Sequence, residues 1–266
     1  MRARKPIAVL GALLGLALTV TAANPAGASD TEAATPKPTI VLVHGAFAES
    51  ASWDGVVQRL QKGGYPVVAV ANPLRSLSGD ADYLKKVLAT IKGPVVLAGH
   101  SYGGMVESNA ATGNPNVKAL VYVAAFAPEA GESALELSNK FPGSTLGDTL
   151  STIDIGDGTK DLVIQQDKYW QQFAADVSRK DAALAAATQR PVNDTALTEK
   201  AGEPAWHQIP SYFVVAGKDK NIPVAAQKWM AERAHARAVV EVRTASHSVA
   251  VSQPETVADL IVRAAR

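Results

Sequence analysis

The sequence predicts a doubly wound α/β fold with a mainly parallel central sheet and an inserted helical cap. Three observations carry this expectation. Six short apolar runs rich in β-branched residues recur along the chain. Most read as continuously apolar rather than alternating, as strands covered on both faces do. Helical patterns separate them, and alternation of strand and helix marks a wound parallel sheet.

In chain order, the first run is Thr39–Val43 (TIVLV), followed by a helix over Ser52–Lys62. Pro66–Val70 (PVVAV) precedes a helix over Asp80–Ile91. Val95–Ala98 (VVLA) leads almost directly into a helix over Tyr102–Thr112, and Ala119–Ala124 (ALVYVA) closes this series. Tyr212–Ala216 (YFVVA) is followed by a helix over Val224–His235, and Val239–Val242 by a terminal helix over Pro254–Ala265. Between the two groups, from Pro128 to Pro210, no buried strand is evident. That interval of about 80 residues is too long for a structureless connection in a compact domain. It opens with turn-rich FPGSTLGDTLSTIDIGDGTKD and continues with helical QQDKYWQQFAADVSRKDAALAAATQ. The reading is one domain over 39–266, with a helical cap inserted at about 129–210.

At 266 residues, 47% hydrophobic and 19% charged, the chain is long and apolar enough for a large core. Its start, MRARK, then an apolar segment from Ile7 to Val20, then Ala26–Gly27–Ala28, has the three parts of a secretory signal. The apolar segment of 14 residues is shorter than the roughly 20 that a bilayer span needs. Cleavage is expected after Ala28, leaving residues 29–38 as a polar tail on an exported protein, extracellular or periplasmic, with no stable membrane association. The formal charge is +1; without Arg2, Arg4 and Lys5 it becomes −2, from 23 bases against 25 acids. No basic stripe is present, so nucleic acid is not an expected partner. The absence of cysteine removes disulfides, thiol chemistry and Cys-based metal sites, and the five histidines lack metal-ligand spacing. No cofactor or metal is expected.

The chemistry is concentrated in PVVLAGHSYGGMVESNAA, Pro94 to Ala111. Gly99-His100-Ser101-Tyr102-Gly103 matches G-x-S-x-G between an apolar strand and a helix. The turn is so short that Ser101 must occupy the bend. Glycines are needed there because neighbouring backbone presses close, and Gly104 lets the helix pack tightly. The bend lifts the serine hydroxyl above the sheet edge, at the positive end of the following helix.

With VLVHGAF at the first strand's end, GHSYGG at the elbow, GKDKNIP after the cap and SHS near the C-terminus, the chain resembles the α/β-hydrolase fold from Thr39 onward. The similarity is to its branch of small capped serine esterases, related to hydroxynitrile lyases. The resemblance implies the order nucleophile, acid, base along the chain: Ser101, Asp219 after YFVVAG, and His247 in the loop ASHSVAVSQP. It also implies an oxyanion hole made by the backbone N–H groups of Ala46 and Tyr102. Asp194 and Glu203, near the cap's end, are the other acids weighed, and Asp219 has the better position. His44 and His100 are read as supports for their loops, His207 and His235 as surface or boundary residues. Phe47, Tyr169 and Trp170 are candidates for the pocket wall, whereas Trp53 reads more simply as core.

The resemblance implies hydrolysis of small or medium carboxylic esters through an acyl-enzyme, with a small-molecule ester as the partner. A serine nucleophile argues against the aspartate-dependent epoxide hydrolases and dehalogenases. The lyases carry a lysine directly after the catalytic histidine and a threonine in the HG-x loop, where this chain has Ser248 and Gly45. Perhydrolase, cofactor-free haloperoxidase or lactonase activity would use the same triad. A receptor-like module of the same fold, binding a ligand without turnover, is the alternative of another class.

Overall fold

The computed structural model describes residues 36–266. The expected signal and cleavage site, with the expected tail up to residue 35, lie outside the described residues.

Each expected apolar run is a strand. β1 (Thr39–Val43) passes through a 3-10 turn at Ser50–Trp53 into α1 (Asp54–Lys62), whose Val56 and Leu60 are buried. β2 (Val67–Val70) follows, then α2 (Leu77–Ala89), capped by Ser76, whose hydroxyl oxygen accepts from the Gly79 N–H. β3 (Val95–His100) is buried along its whole length, and α3 (Gly103–Ala110) starts after only Ser101 and Tyr102. β4 (Val117–Val123) ends this half. The interval beyond it holds α4 (Ala134–Asn139), β5 (Leu150–Asp154), β6 (Lys160–Ile164), α5 (Gln166–Phe173), α6 (Arg179–Ala187), β7 (Val192–Asn193) and α7 (Asp194–Thr198). The chain then returns through β8 (Ser211–Ala216), α8 (Val224–Arg233), β9 (Ala238–Val242), α9 (Val249–Ser252) and α10 (Pro254–Ala264).

The main sheet has six strands in the order β2-β1-β3-β4-β8-β9, every pair parallel. Successive residues of a strand point to opposite faces, so each strand feeds two cores. Val41, Leu97, Leu120 and Phe213 pack on the side of α2, α3 and α8, whereas Ile40, Leu42, Val121 and Val214 pack on the side of α1 and α10. The edge strands β2 and β9 alternate instead of being buried throughout, because an edge has no strand beyond it to shield its outer side.

The order reverses beside β1: β2 lies on one side of it and β3 on the other. Open α/β sheets present their ligand crevice at such a switch, at the strands' carboxyl ends. The register pairs Val43 with Gly99, so the loop after β1 and the elbow after β3 emerge side by side.

The cap differs from the expectation. It is not purely helical but contains a three-stranded antiparallel sheet, β5-β6-β7. The stretch read as a string of turns is the β5–β6 hairpin, closed by Gly156 and Gly158 at φ of 81° and 89°. β5 is exposed from Ser151 to Asp154, so it carries no apolar run to betray a strand. The segment between β4 and β8 is tied to the loops of the main sheet by backbone bonds: Arg190 N–H to Phe47 O (3.1 Å) and Asn193 N–H to Leu74 O (2.9 Å).

Candidate active site

Ser101 sits in the left-handed region at φ 54°, a conformation that non-glycine residues adopt only where the surroundings enforce it. Its N–H donates to Val123 O (3.3 Å) and its carbonyl accepts from Phe126 N–H (3.2 Å), so the end of β4 holds the bend. A Cβ on Gly103 would lie 2.3 Å from Val43 O, and one on Gly45 would lie 2.6 Å from His100 O. Glycine at both positions lets the β1 loop rest directly on the elbow.

Asp219 follows β8 and is buried. Its Oδ1 accepts from the backbone N–H groups of Asn221 (2.7 Å) and Ile222 (3.0 Å). Its Oδ2 accepts from Gln227 Nε2 (2.8 Å) and from His247 Nδ1 (2.7 Å). Four donors on one carboxylate suit the ionised form, which is acceptor-only. Since Asp219 can only accept, the proton belongs on His247 Nδ1 and leaves Nε2 with its lone pair.

His100 lies behind His247. Its Nε2 donates to the His247 carbonyl (2.9 Å), and the two rings are 4.7 Å apart. Burial, reinforced by the nearby His247, drives the His100 pKa down to about 3, so this ring stays neutral and braces the loop. Phe173 packs edge-on to His247 at 4.8 Å. Among the described residues no hydrogen bond joins Ser101 to His247, although both line one cavity. Unliganded sites often tighten such contacts only when substrate binds.

Neither the Ala46 nor the Tyr102 backbone N–H has an acceptor among the described residues, although both residues are buried. The side chain of Tyr102 points elsewhere: its hydroxyl donates to Asp80 Oδ2 (3.0 Å). Burial raises the pKa of Asp80, and the bonds from Arg75 and Tyr102 oppose this. His44 is a strut between two loops. Its Nε2 accepts from Asn72 N–H (2.9 Å), its Nδ1 donates to Gly45 O (3.1 Å), and Asn72 Nδ2 donates to the His44 carbonyl (3.0 Å).

The shared cavity has a volume of about 290 Å³ and is walled by Phe126, Leu146, Leu162, Leu197 and Ile222. Of the expected wall residues, Phe47 lines it. Tyr169 does not: it lines a neighbouring cavity beyond Phe47 and Phe173. Trp170 lines neither, because its Nε1 donates to Val177 O (3.0 Å) and Arg179 covers its face at 3.9 Å. Trp53 is core, as read. Phe173 was not anticipated, although its spacing of four residues from Tyr169 on a helix places both on one face.

The remaining polar residues fall outside this arrangement. Asp194 reaches the cavity wall, but its Oδ1 accepts from Lys160 N–H (3.3 Å). Glu203 and Glu129 flank His207 at 2.6 Å and 2.9 Å on the surface, and bonding to both raises that histidine's pKa. His235 is exposed at the end of α8. Among the described residues, no group of three or more His, Cys, Asp or Glu is placed to hold a metal ion.

Comparison with known proteins places this geometry in a lineage. Polyneuridine aldehyde esterase of Rauvolfia serpentina is 28% identical over 241 residues, which cover 82% of this chain and 91% of that one. Alpha-hydroxynitrile lyase of Arabidopsis thaliana is 26% identical over 242 residues, covering 82% and 93%. The crystal structure of polyneuridine aldehyde esterase superposes with a TM-score of 0.74 at 23% identity, covering 85% of this chain and 98% of that one, a likeness of fold. The alpha/beta hydrolase family matches residues 40–260, from β1 through the elbow, the Asp219 turn and the His247 loop into α10. The chain belongs to the alpha/beta hydrolase family.

Proposed function

We propose that this protein is an exported serine esterase that cleaves small or medium carboxylic esters through an acyl-enzyme. The observation that carries the reading is the buried Asp219–His247 pair beside Ser101, which is held at a strained bend in an apolar cavity. Ser101 Oγ attacks the ester carbonyl while His247 Nε2 takes its proton. Asp219 holds the imidazole in that tautomer and stabilises the imidazolium. The Ala46 and Tyr102 amides, without a partner among the described residues, receive the oxyanion. Collapse breaks the C–O bond to the alcohol, which leaves with the proton from His247. Water, deprotonated by the same nitrogen, then frees the acid and restores Ser101.

A relative named as an esterase supports an ester substrate, and a relative named as a hydroxynitrile lyase offers the other chemistry. The lyase reading needs a cation beside the histidine. Residue 248 is instead a serine whose hydroxyl donates to Phe173 O (3.0 Å). Peracid formation and lactone opening follow from the same nucleophile as side reactions. Export rests on the N-terminal pattern alone.

The test is turnover of p-nitrophenyl acetate, with a fluorophosphonate to trap the nucleophile. The expected result is many cycles per protein, labelling at Ser101, and a loss of at least ~10³-fold in Ser101→Ala with folding intact. A single stoichiometric event would indicate a binding module, and labelling elsewhere would sink the serine assignment.

A further inference from the structure

Two cavities lie beneath the cap, divided by a pair of aromatic rings. The one that holds Ser101 has a volume of about 290 Å³, and its neighbour about 360 Å³. Phe47 and Phe173 line both, meeting edge-to-face with centroids 6.3 Å apart. Tyr169, Ala174 and Val177 give the second cavity an apolar stretch of wall, and Glu49, Asp54 and Asp181 also line it. Among its lining residues Leu184, on α6, is 66% exposed, and Val251, on α9, is 42% exposed. Large exposed aliphatic side chains at a cavity rim fit the entry of an apolar group. At ~30 Å³ for each water-sized group, the space accommodates on the order of ten non-hydrogen atoms.

The second cavity lies on the histidine side of the site. His100 and Ser248 line it; the His100 ring lies 4.7 Å from that of His247, and Ser248 follows His247 in the sequence. Phe173, which closes it off from Ser101, is the ring packed on His247. This side has a chemical meaning. In the serine-esterase reading, on which the inference rests, the leaving oxygen must receive its proton from His247 Nε2. The acyl carbon is fixed to Ser101, whose surroundings are the first cavity.

We propose that the second cavity receives the alcohol portion of the ester, which passes between Phe47 and Phe173, while the acyl portion occupies the first. The substrate class is then an ester of a short acid with a bulky apolar alcohol. Two rings in edge-to-face contact form a partition that side-chain rotation can open, whereas a backbone wall would not yield.

Octyl acetate and methyl nonanoate have the same atoms, with the long chain on the alcohol side in one and on the acyl side in the other. The quantity to measure is the ratio of their kcat/KM values by pH-stat, in the wild type and in three variants. Ala185→Trp on α6 and Val251→Trp on α9 fill only the second cavity, and Leu162→Trp fills only the first. The expected result is that the octyl acetate to methyl nonanoate ratio falls about ten-fold or more in Ala185→Trp and Val251→Trp and rises in Leu162→Trp. Since each ratio is internal to one preparation, partial misfolding cancels, and either second-cavity variant suffices if the other does not fold. An unchanged ratio, or shifts in the opposite directions, would overturn the assignment while leaving the esterase reading intact. Wild-type protein that cleaves neither ester nor p-nitrophenyl acetate, and carries no phosphonate on Ser101, would bring down both.

Discussion

The Asp219→Asn variant tests the proposed division of labour most sharply, because its surroundings dictate how the amide must sit. The Oδ1 site faces two backbone donors, Asn221 N–H and Ile222 N–H, so the amide oxygen must go there. The NH₂ group then replaces Oδ2 and faces Gln227 Nε2 and His247 Nδ1, both of which donate in the wild type. Gln227 cannot turn over to help, because its Oε1 accepts from Ala216 N–H (3.0 Å) and its Nε2 also donates to Ile222 O (2.8 Å). His247 can respond by accepting at Nδ1 and carrying its proton on Nε2, which leaves it unable to take the Ser101 proton. A tautomer error of this kind costs up to ~10⁴ in kcat in a serine protease, and at 1.36 kcal/mol per tenfold that is about 5.4 kcal/mol of barrier. The Gln227 donor left facing an NH₂ adds about 1–3 kcal/mol of lost stability. The assay is kcat/KM on p-nitrophenyl butyrate, with a thermal melt on the same preparation. Asp194→Asn and Glu203→Gln are expected within a few-fold of wild type, since one carboxylate is engaged by Lys160 N–H and the other by His207. A mild Asp219→Asn beside a severe change at either other acid would refute the assignment of Asp219 and leave the Ser101–His247 pair standing.

Four further outcomes are expected. His247→Ala should be about as damaging as Ser101→Ala, and the double variant little worse than either in single-turnover assays, because residues acting as one unit are not additive. Tyr102→Phe should keep activity within a few-fold, since the proposed oxyanion donor is its backbone N–H. It should lose about 1–3 kcal/mol in urea denaturation, because Asp80 loses a buried donor; an inactive but stable variant would contradict this. Glu107 is buried, neither carboxyl oxygen meets a partner in good hydrogen-bond geometry among the described residues, and burial pushes its pKa well above 4.5, the nearby Gly99 backbone only partly opposing this. The folded state therefore holds this proton more tightly than the unfolded chain, its stabilising effect is complete below pH 4.5 and is lost as pH rises through the folded-state pKa. Stability of Glu107→Gln relative to wild type should grow by up to about 1.4 kcal/mol per pH unit over that window, and parallel pH profiles would contradict it. Finally, intact mass from culture supernatant should give a chain that begins near Ser29; a full-length mass in the membrane fraction would indicate an uncleaved anchor.

The central sheet and the elbow were legible in the sequence because each rests on a local signal: continuous apolar runs for β1, β3 and β8, and glycines around one serine. The cap sheet was not, because β5 exposes four successive residues and offers no apolar pattern. Phe173 went unnoticed for a different reason. Tyr169, Trp170 and Phe173 share one short helix, and only the seating of that helix on the His247 loop decides which ring meets the imidazole. Gln227 has the same character: eight residues after Asp219, it acts on the carboxylate because the first turns of α8 fold back beside the end of β8. Glu107 misleads altogether, since a glutamate in a helix is normally placed toward water, whereas here the helix is enclosed.

Several departures from ordinary packing gather at one place. Left-handed φ angles at Ser101 and Ala124, and the Glu107 carboxyl and the Ala46 and Tyr102 amides, which have no partner in good geometry among the described residues, lie on segments that meet at the carboxyl ends of β1, β3 and β4. Strained backbone and buried unsatisfied groups each cost about 1–3 kcal/mol, and together they approach the net stability of a domain. They persist because β3, buried along its length between β1 and β4, cannot relax one loop without shifting its neighbours. Stability alone would favour turning those two amides toward an internal acceptor, and the close contact of Gly45 with the elbow prevents it. In the proposed function, the two donors left unpaired among the described residues near Ser101 receive an oxygen that arrives with the substrate. That is the physical reason for reading the junction as a site of acyl transfer rather than as a tight turn that happens to contain serine.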